Sequence, residues 1–212
     1  MTSRLHFEIL PKAQQKAWNV LKSESARLNS LGFYLAGGTA LALQIGHRLS
    51  VDFDFFSTKK GLTENLRNWL EKLPGAVLRE VSPDTAHADL AGVKLSFIGA
   101  YKYPAIQKFS DVDGIKLASV LDISLMKLLA VIHRAALRDY IDLAAIVQNY
   151  IPLSVLIQKS RKKYGSAFNP MLVFKALVSF EDLDDEKPFL IDKSLTSSWK
   201  KILLEAVKKT AV

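Results

Sequence analysis

Residues 35–57, LAGGTALALQIGHRLSVDFDFFS, decide how this chain is read. The stretch begins in a short apolar run, Phe33-Tyr34-Leu35-Ala36, whose aromatics suit a strand. Gly37-Gly38 ends that run. Glycine permits a sharp backbone turn and lets a ligand approach the main chain closely. Thr39 is placed to cap a short helix over Ala40–Gln44, which Gly46 closes. A strand follows at Val51-Asp52-Phe53-Asp54-Phe55, because its residues alternate with period two. Alternation sends Val51, Phe53 and Phe55 to a core face and sets Asp52 and Asp54 together on the other. Two neighbouring carboxylates repel each other and favour a cation between them. Mg²⁺ suits such a pair, since it binds one or two carboxylates and completes its shell with water and substrate phosphates. The glycine turn and the N-terminus of the following helix would present N–H groups to those phosphates. Arg48, between turn and strand, is placed to contact phosphate charge. His47 beside it could touch a nucleotide or merely cap and pack.

Working outward, residues 11–30 read as one helix, with Pro11 tolerated in its first turn and Gly32 beyond its end. A helix is expected near Thr63–Lys72, broken by Pro74-Gly75. Three antiparallel strands follow at 77–81, 85–90 and 93–98, and a last strand at Ile115–Val120. Beyond Asp122 the pattern is helical, with segments at 122–135, 138–149, 153–163, 170–178 and 195–209. The organisation is α+β: an α/β domain over 1–120, then a helical domain over 121–212. The acidic run Glu181–Glu186 lacks the glycine and the spacing of a calcium loop and reads as a solvated connector. Lys193, Lys200, Lys201, Lys208 and Lys209 give either a face for a polyanion or a solvated face over Trp199, Ile202, Leu203 and Val207. His6, His87 and His133 lack zinc spacing, and His133 reads as a packing residue.

Composition narrows the classes. The chain has 212 residues and no Cys, so disulfides, thiolate metal sites and a cysteine nucleophile are excluded. Its formal net charge of +8 favours polyanionic partners. No stretch is long and apolar enough to span a bilayer, and MTSRLHFEILPKAQQKAW lacks a signal-peptide core. The expectation is a cytoplasmic protein without membrane contact.

LAGGTALALQIGHRLSVDFDFFS resembles the first motif of the AbiEii/AbiGii family of nucleotidyltransferase-like proteins. DISLMKLLAVIHRAALRDYIDLAAI, residues 122–146, resembles that family's downstream motif. The resemblance spans about residues 30–150. It implies a nucleotidyltransferase-fold mixed sheet with flanking helices, followed by a helical bundle, in a toxin-like protein of a toxin–antitoxin or phage-defence system. It also implies roles. Gly37, Gly38 and Thr39 cradle a triphosphate, and Asp52 and Asp54 hold Mg²⁺ with Arg48 and Ser50 in support. Lys127 neutralises triphosphate charge, while Asp139 and Asp142 complete the site or position Lys127 and Arg134. The catalytic set is then Asp52, Asp54, Lys127 and Asp142. Spacing alone puts Lys127 and Arg134 on one helix face and offers Arg138 and Asp142 as an intrahelical pair; the alternative is a structural salt-bridge cluster.

One departure matters. Many nucleotidyltransferases carry a third carboxylate on a later strand, as general base for the attacking hydroxyl. Here Val93-Lys94-Leu95-Ser96-Phe97 offers Ser96, with Lys94 near and Asp84 or Asp89 as substitutes. The expected activity is transfer of a nucleoside monophosphate from an NTP to a tRNA 3′ end or a protein hydroxyl, with a cognate antitoxin as partner. Two alternatives stay open: an NTP-binding homologue with little turnover, and a kinase-like phosphotransfer protein.

Overall fold

The computed structural model describes residues 5–184 and 186–211; Asp185 of the acidic run lies outside them. The chain divides into two compact units. One holds the residues up to Ile45 together with Ser50–Ser119, the other Gly46–Leu49 together with the chain from Val120 onward. The sequence reading had assigned Gly46–Leu49 to the first.

The first unit is built on a seven-stranded mixed sheet. Its strands are β1 (Tyr34–Ala36), β2 (Phe53–Phe56), β3 (Ala76–Ser82), β4 (Thr85–Leu90), β5 (Val93–Ile98), β6 (Ser110–Val112) and β7 (Ile115–Leu117), in the order β3-β4-β5-β2-β1-β7-β6. β2 runs antiparallel to β1 and parallel to β5, and β1 runs parallel to β7. The helices are α1 (Lys12–Ser23), α2 (Ser25–Ser30), α3 (Gly37–Ile45) and α4 (Thr63–Leu70).

Phe53 and Phe55 of β2 are fully buried, while Asp54 and Phe56 on the opposite face are half-buried. Phe55 stacks on Phe97 of β5 at 5.2 Å. Trp18 of α1 reaches Phe53, and Trp69 of α4 meets Phe97 edge-on at 5.4 Å. Aromatic pairs in these geometries add to the area they bury, so this face is the core that anchors β2. Three sequence expectations change here. The helix read over 11–30 breaks at Glu24, whose φ/ψ of −100°/11° is not helical. Helix α3 begins at Gly37 itself, so Thr39 lies inside it instead of capping it. Asp52 stands just before β2, which starts at Phe53.

The second unit contains α5 (Val120–His133), α6 (Leu137–Asn149), α7 (Leu153–Tyr164), α8 (Pro170–Val178) and α9 (Leu195–Ala211). Trp199, Leu203 and Val207 of α9 are buried and Lys201 is exposed, so its apolar stripe faces inward and that lysine outward. The acidic run is more than a solvated connector. Asp184 accepts a hydrogen bond from the Leu137 N–H and its own N–H donates to Ala135, which caps α6. No single helix among the described residues is long and apolar enough to cross a membrane.

Candidate active site

In the first unit the glycine turn and the aspartates meet as neighbouring chain segments. β1 pairs with β2 so that Ala36 is opposite Asp54, and Gly37 follows at once with φ +71°. A Cβ built on Gly37 would lie 2.6 Å from Asp54 Oδ2. Only glycine leaves the carboxylate its room. Thr39, 1% exposed, donates its hydroxyl to the Asp52 carbonyl and accepts from Gln14 Nε2 at 3.4 Å. Thr39 thereby ties the first turn of α3 to the backbone of Asp52. Gly38 shares that turn, and Ser50 is half-buried just upstream of Asp52.

The Asp54 carboxylate is half-buried and has no hydrogen bond or ion pair among the described residues. An unpaired, partly desolvated carboxylate favours a cation. Among the described residues no three His, Cys, Asp or Glu side chains converge on a metal position, so a purely protein cage is not available. The Asp54 carboxylate beside the N-terminus of α3, with Asp52 two residues upstream, suits Mg²⁺ held jointly with substrate phosphates. On β5, Ser96 stands in register with Asp54, and His87 of β4 stands in register with Ser96. Ser96 thus holds the strand position next to Asp54 where a third carboxylate would stand. Neither proposed substitute replaces it: Asp84 accepts from the Leu62 N–H, and Asp89 pairs with Arg79 at 2.5 Å.

The second unit gathers the remaining candidates into a buried ion-pair network. Asp142, fully buried, accepts from Arg48 Nε at 2.6 Å, Arg48 Nη2 at 2.9 Å and His47 Nε2 at 2.7 Å. Lys127 Nζ lies 2.7 Å from Asp142 Oδ2 and 2.6 Å from Asp139 Oδ1, and Arg134 Nε donates to Asp139 Oδ2 at 2.8 Å. Burial pushes the Asp142 carboxyl up. The charges of Arg48 and Lys127, with bonds from Arg48 and His47, hold it well below the usual carboxylate range. Burial lowers the Arg48 guanidinium, but Asp142, with Asp139 and Glu186 beyond it, outweighs this and raises it. The Gly46–Leu49 segment is also fixed by backbone: Leu49 N–H donates to Phe189, and Ile191 and Asp192 donate to His47.

Several sequence expectations are corrected by this network. Arg138 pairs with Glu186 at 3.7 Å and not with Asp142. Arg134 lies one residue past α5, outside the helix that carries Lys127. His133 is exposed, where packing had been expected. The Arg48–Asp142 pairing was absent from the sequence reading: the partners are 94 residues apart, and local spacing carries no signal for it.

An Asp-x-Asp segment entering β2 beside a glycine turn, on a mixed sheet flanked by helices, fits the nucleotidyltransferase fold class. The comparisons agree. The profile of the family described as "Nucleotidyl transferase AbiEii toxin, Type IV TA system" matches residues 20–211. The chain belongs to that family and is a nucleotidyltransferase. It is 36% identical over 160 residues to the protein aq_aa25 of Aquifex aeolicus, an alignment covering 73% of this chain and 76% of that one. Among solved structures it resembles MenT4, a nucleotidyltransferase toxin of Mycobacterium tuberculosis, with a TM-score of 0.62 at 12% identity over 95% of this chain and 86% of that one. It also resembles JHP933 of Helicobacter pylori, with a TM-score of 0.51 at 18% identity over 95% of each. At such identities the structural likeness shows the fold alone.

The close approach at Gly37 carries a direct test. Gly37→Ala forces a side chain into φ +71° and against Asp54. Left-handed backbone costs about 1–2 kcal/mol for a residue with a Cβ. Displacing a catalytic carboxylate by about 1 Å can cost on the order of 10²-fold in rate. The expected variant is folded, with Tm lowered by roughly 5–10 °C and transfer reduced about 100-fold. Unchanged transfer would show that the Asp54 position does not matter.

Proposed function

We propose that this protein is a magnesium-dependent nucleotidyltransferase that moves a nucleoside monophosphate from an NTP onto an acceptor hydroxyl and releases pyrophosphate. The observation that carries the reading is the Asp54 carboxylate, unpaired and half-buried against a glycine turn that has room for nothing larger. Asp52 and Asp54 are the residues that would hold magnesium. Magnesium held there would supply charge neutralisation to the triphosphate and make its phosphorus more electrophilic. Gly37 and Gly38 let the triphosphate lie against the main chain, and the N–H groups opening α3 donate to its oxygens. Thr39 holds the Asp52 backbone in place, and Ser50 supports the approach to it. Lys127, Arg134, Asp139, Asp142 and Arg48 enter the proposal as one ion-pair unit, with Lys127 neutralised by two carboxylates. The acceptor classes are a tRNA 3′ end, suited to the chain's positive charge, and a protein hydroxyl. A cognate antitoxin is the partner the family suggests, and the cytoplasm is the proposed location.

Product analysis separates this reading from kinase-like transfer. Incubation with an NTP and acceptor should release pyrophosphate; release of a nucleoside diphosphate would support phosphoryl transfer instead. One specific observation favours a binding module with little turnover: Ser96 stands where a carboxylate would complete the strand set. Ser96→Asp tests what that position governs. Ser96 is 7% exposed, so the new carboxylate is desolvated beside Asp54. Without Mg²⁺ the variant should lose about 1–2 kcal/mol, roughly 5–10 °C in Tm. Saturating Mg²⁺ should restore it more than it stabilises the wild type. A Tm indifferent to Mg²⁺ in both proteins would count against the metal site.

A further inference from the structure

The face of the sheet that carries Asp54 also carries a continuous run of aromatic rings. Asp54 and Phe56 alternate along β2 to the same side, and Tyr34 stands opposite Phe56 just as Ala36 stands opposite Asp54. Tyr34 stacks on Phe56 at 6.2 Å and on Phe109 at 4.6 Å, with interplanar angles of 30° and 27°. Phe56 meets Tyr101 edge-on at 5.2 Å, and Tyr101 continues to Tyr103 at 6.0 Å. Tyr34 is buried beneath this run, but Phe109 is 37% exposed and Phe56, Tyr101 and Tyr103 are half-buried. The outer rings belong to residues 99–110, GAYKYPAIQKFS, which carry the exposed Lys102 and Lys108 and no acidic residue. A loop packed on a sheet only to cover it has no need to leave Phe109 exposed on the stack, in a segment that also exposes Lys102 and Lys108.

We propose that this shelf stacks the base of the nucleotide whose phosphates bind at Asp52 and Asp54, an inference that rests on the site reading above. Phe56 stands two residues beyond Asp54, about 7 Å along the strand, roughly the span of one ribose between phosphate and base. Aromatic side chains stack any nucleobase, because every base offers a π-face. The neighbouring lysines match the charge of the ligand, and the shelf is continuous with the phosphate site through β2 itself.

The test measures magnesium-dependent binding of the four α,β-methylene NTPs and of inorganic tripolyphosphate, which has the phosphates but no base. Tyr101→Ala and Phe109→Ala should weaken the tightest NTP roughly 5- to 100-fold. Tripolyphosphate should bind as before, and Phe109→Trp should retain NTP affinity. Phe109→Leu keeps apolar packing without a ring and should behave as Phe109→Ala, which separates stacking from folding. Unchanged NTP affinity with a raised KM for the acceptor would overturn the proposal in favour of the acceptor's own base. Unchanged NTP affinity and unchanged acceptor KM would reduce the shelf to packing. If the wild type binds neither triphosphate, the site reading falls and this inference falls with it; if tripolyphosphate binds and the variants equal wild type, only the shelf falls.

Discussion

Asp142→Asn will cost the helical unit about 3–5 kcal/mol, the scale measured when one partner of a buried ion pair is removed. The carboxylate accepts from Arg48 twice, from His47 and from Lys127, all with little or no exposure. An amide offers one acceptor oxygen, and its NH₂ would face the N–H groups of Arg48 or the ammonium of Lys127. Arg48 would keep its buried charge without a carboxylate. Lys127 retains Asp139, so the larger part of the loss falls on Arg48. At about 4–8 °C per kcal/mol for a unit of this size, Tm should fall by 12 °C or more. The pH dependence follows from the depressed Asp142 carboxyl. A carboxylate held below its unfolded value contributes stability that is complete above the ordinary carboxylate range and lost as pH falls through its folded value. Wild-type stability should therefore decline progressively as pH falls below the ordinary carboxylate range, with the Asp142 contribution gone once the folded carboxyl itself protonates. Asp142→Asn should lack that acid-dependent loss. Thermal melts across pH read both effects, and a variant within about 1 kcal/mol of wild type would show the network to be dispensable.

The second large effect is on chemistry and not on folding. Asp52→Asn with Asp54→Asn should reduce transfer at least about 10³-fold, and Asp54→Asn alone should leave Tm unchanged without Mg²⁺. With the metal held at Asp52 and Asp54 as proposed, their loss would remove the charge stabilisation that dominates this class of reaction. Asp54 makes no ion pair that its neutral isostere would break. Stabilisation by Mg²⁺ with a bound NTP analogue should disappear in the double variant. A variant that still gains the wild-type Tm increment would place the metal elsewhere.

The two effects mark what the sequence shows and what it hides. The β1–Gly-Gly–α3–β2 succession was legible because period-two alternation and a glycine pair are local signals. The core aromatics Phe53 and Phe55 and the opposite-facing Asp54 followed from alternation, but Val51, assigned to the same core face, is exposed because it lies before the strand. The mixed strand order also accords with the fold class read from the two motifs. Strand β6, Ser-Asp-Val, went unseen because three residues of low hydrophobicity show no period, and only pairing with β7 defines it. The break at Glu24 was masked by helical spacing that continues across it. Thr39 had a cap's identity but not a cap's position, since the glycines themselves open the helix. Above all, the carboxylate that Arg48 meets is set by tertiary packing, and spacing suggested Arg138 for Asp142 where the structure supplies Arg48.

The most direct test of the central claim is transfer of label from the α-phosphate of each NTP, with Mg²⁺, into total tRNA and into cell protein. The Asp52→Asn, Asp54→Asn double variant runs in parallel. Label should enter one acceptor class from a preferred NTP, with pyrophosphate released, and should be absent with the variant. Label appearing equally with the variant, or NTP bound by wild type with no label in either acceptor, would contradict a nucleotidyltransferase working through these two carboxylates.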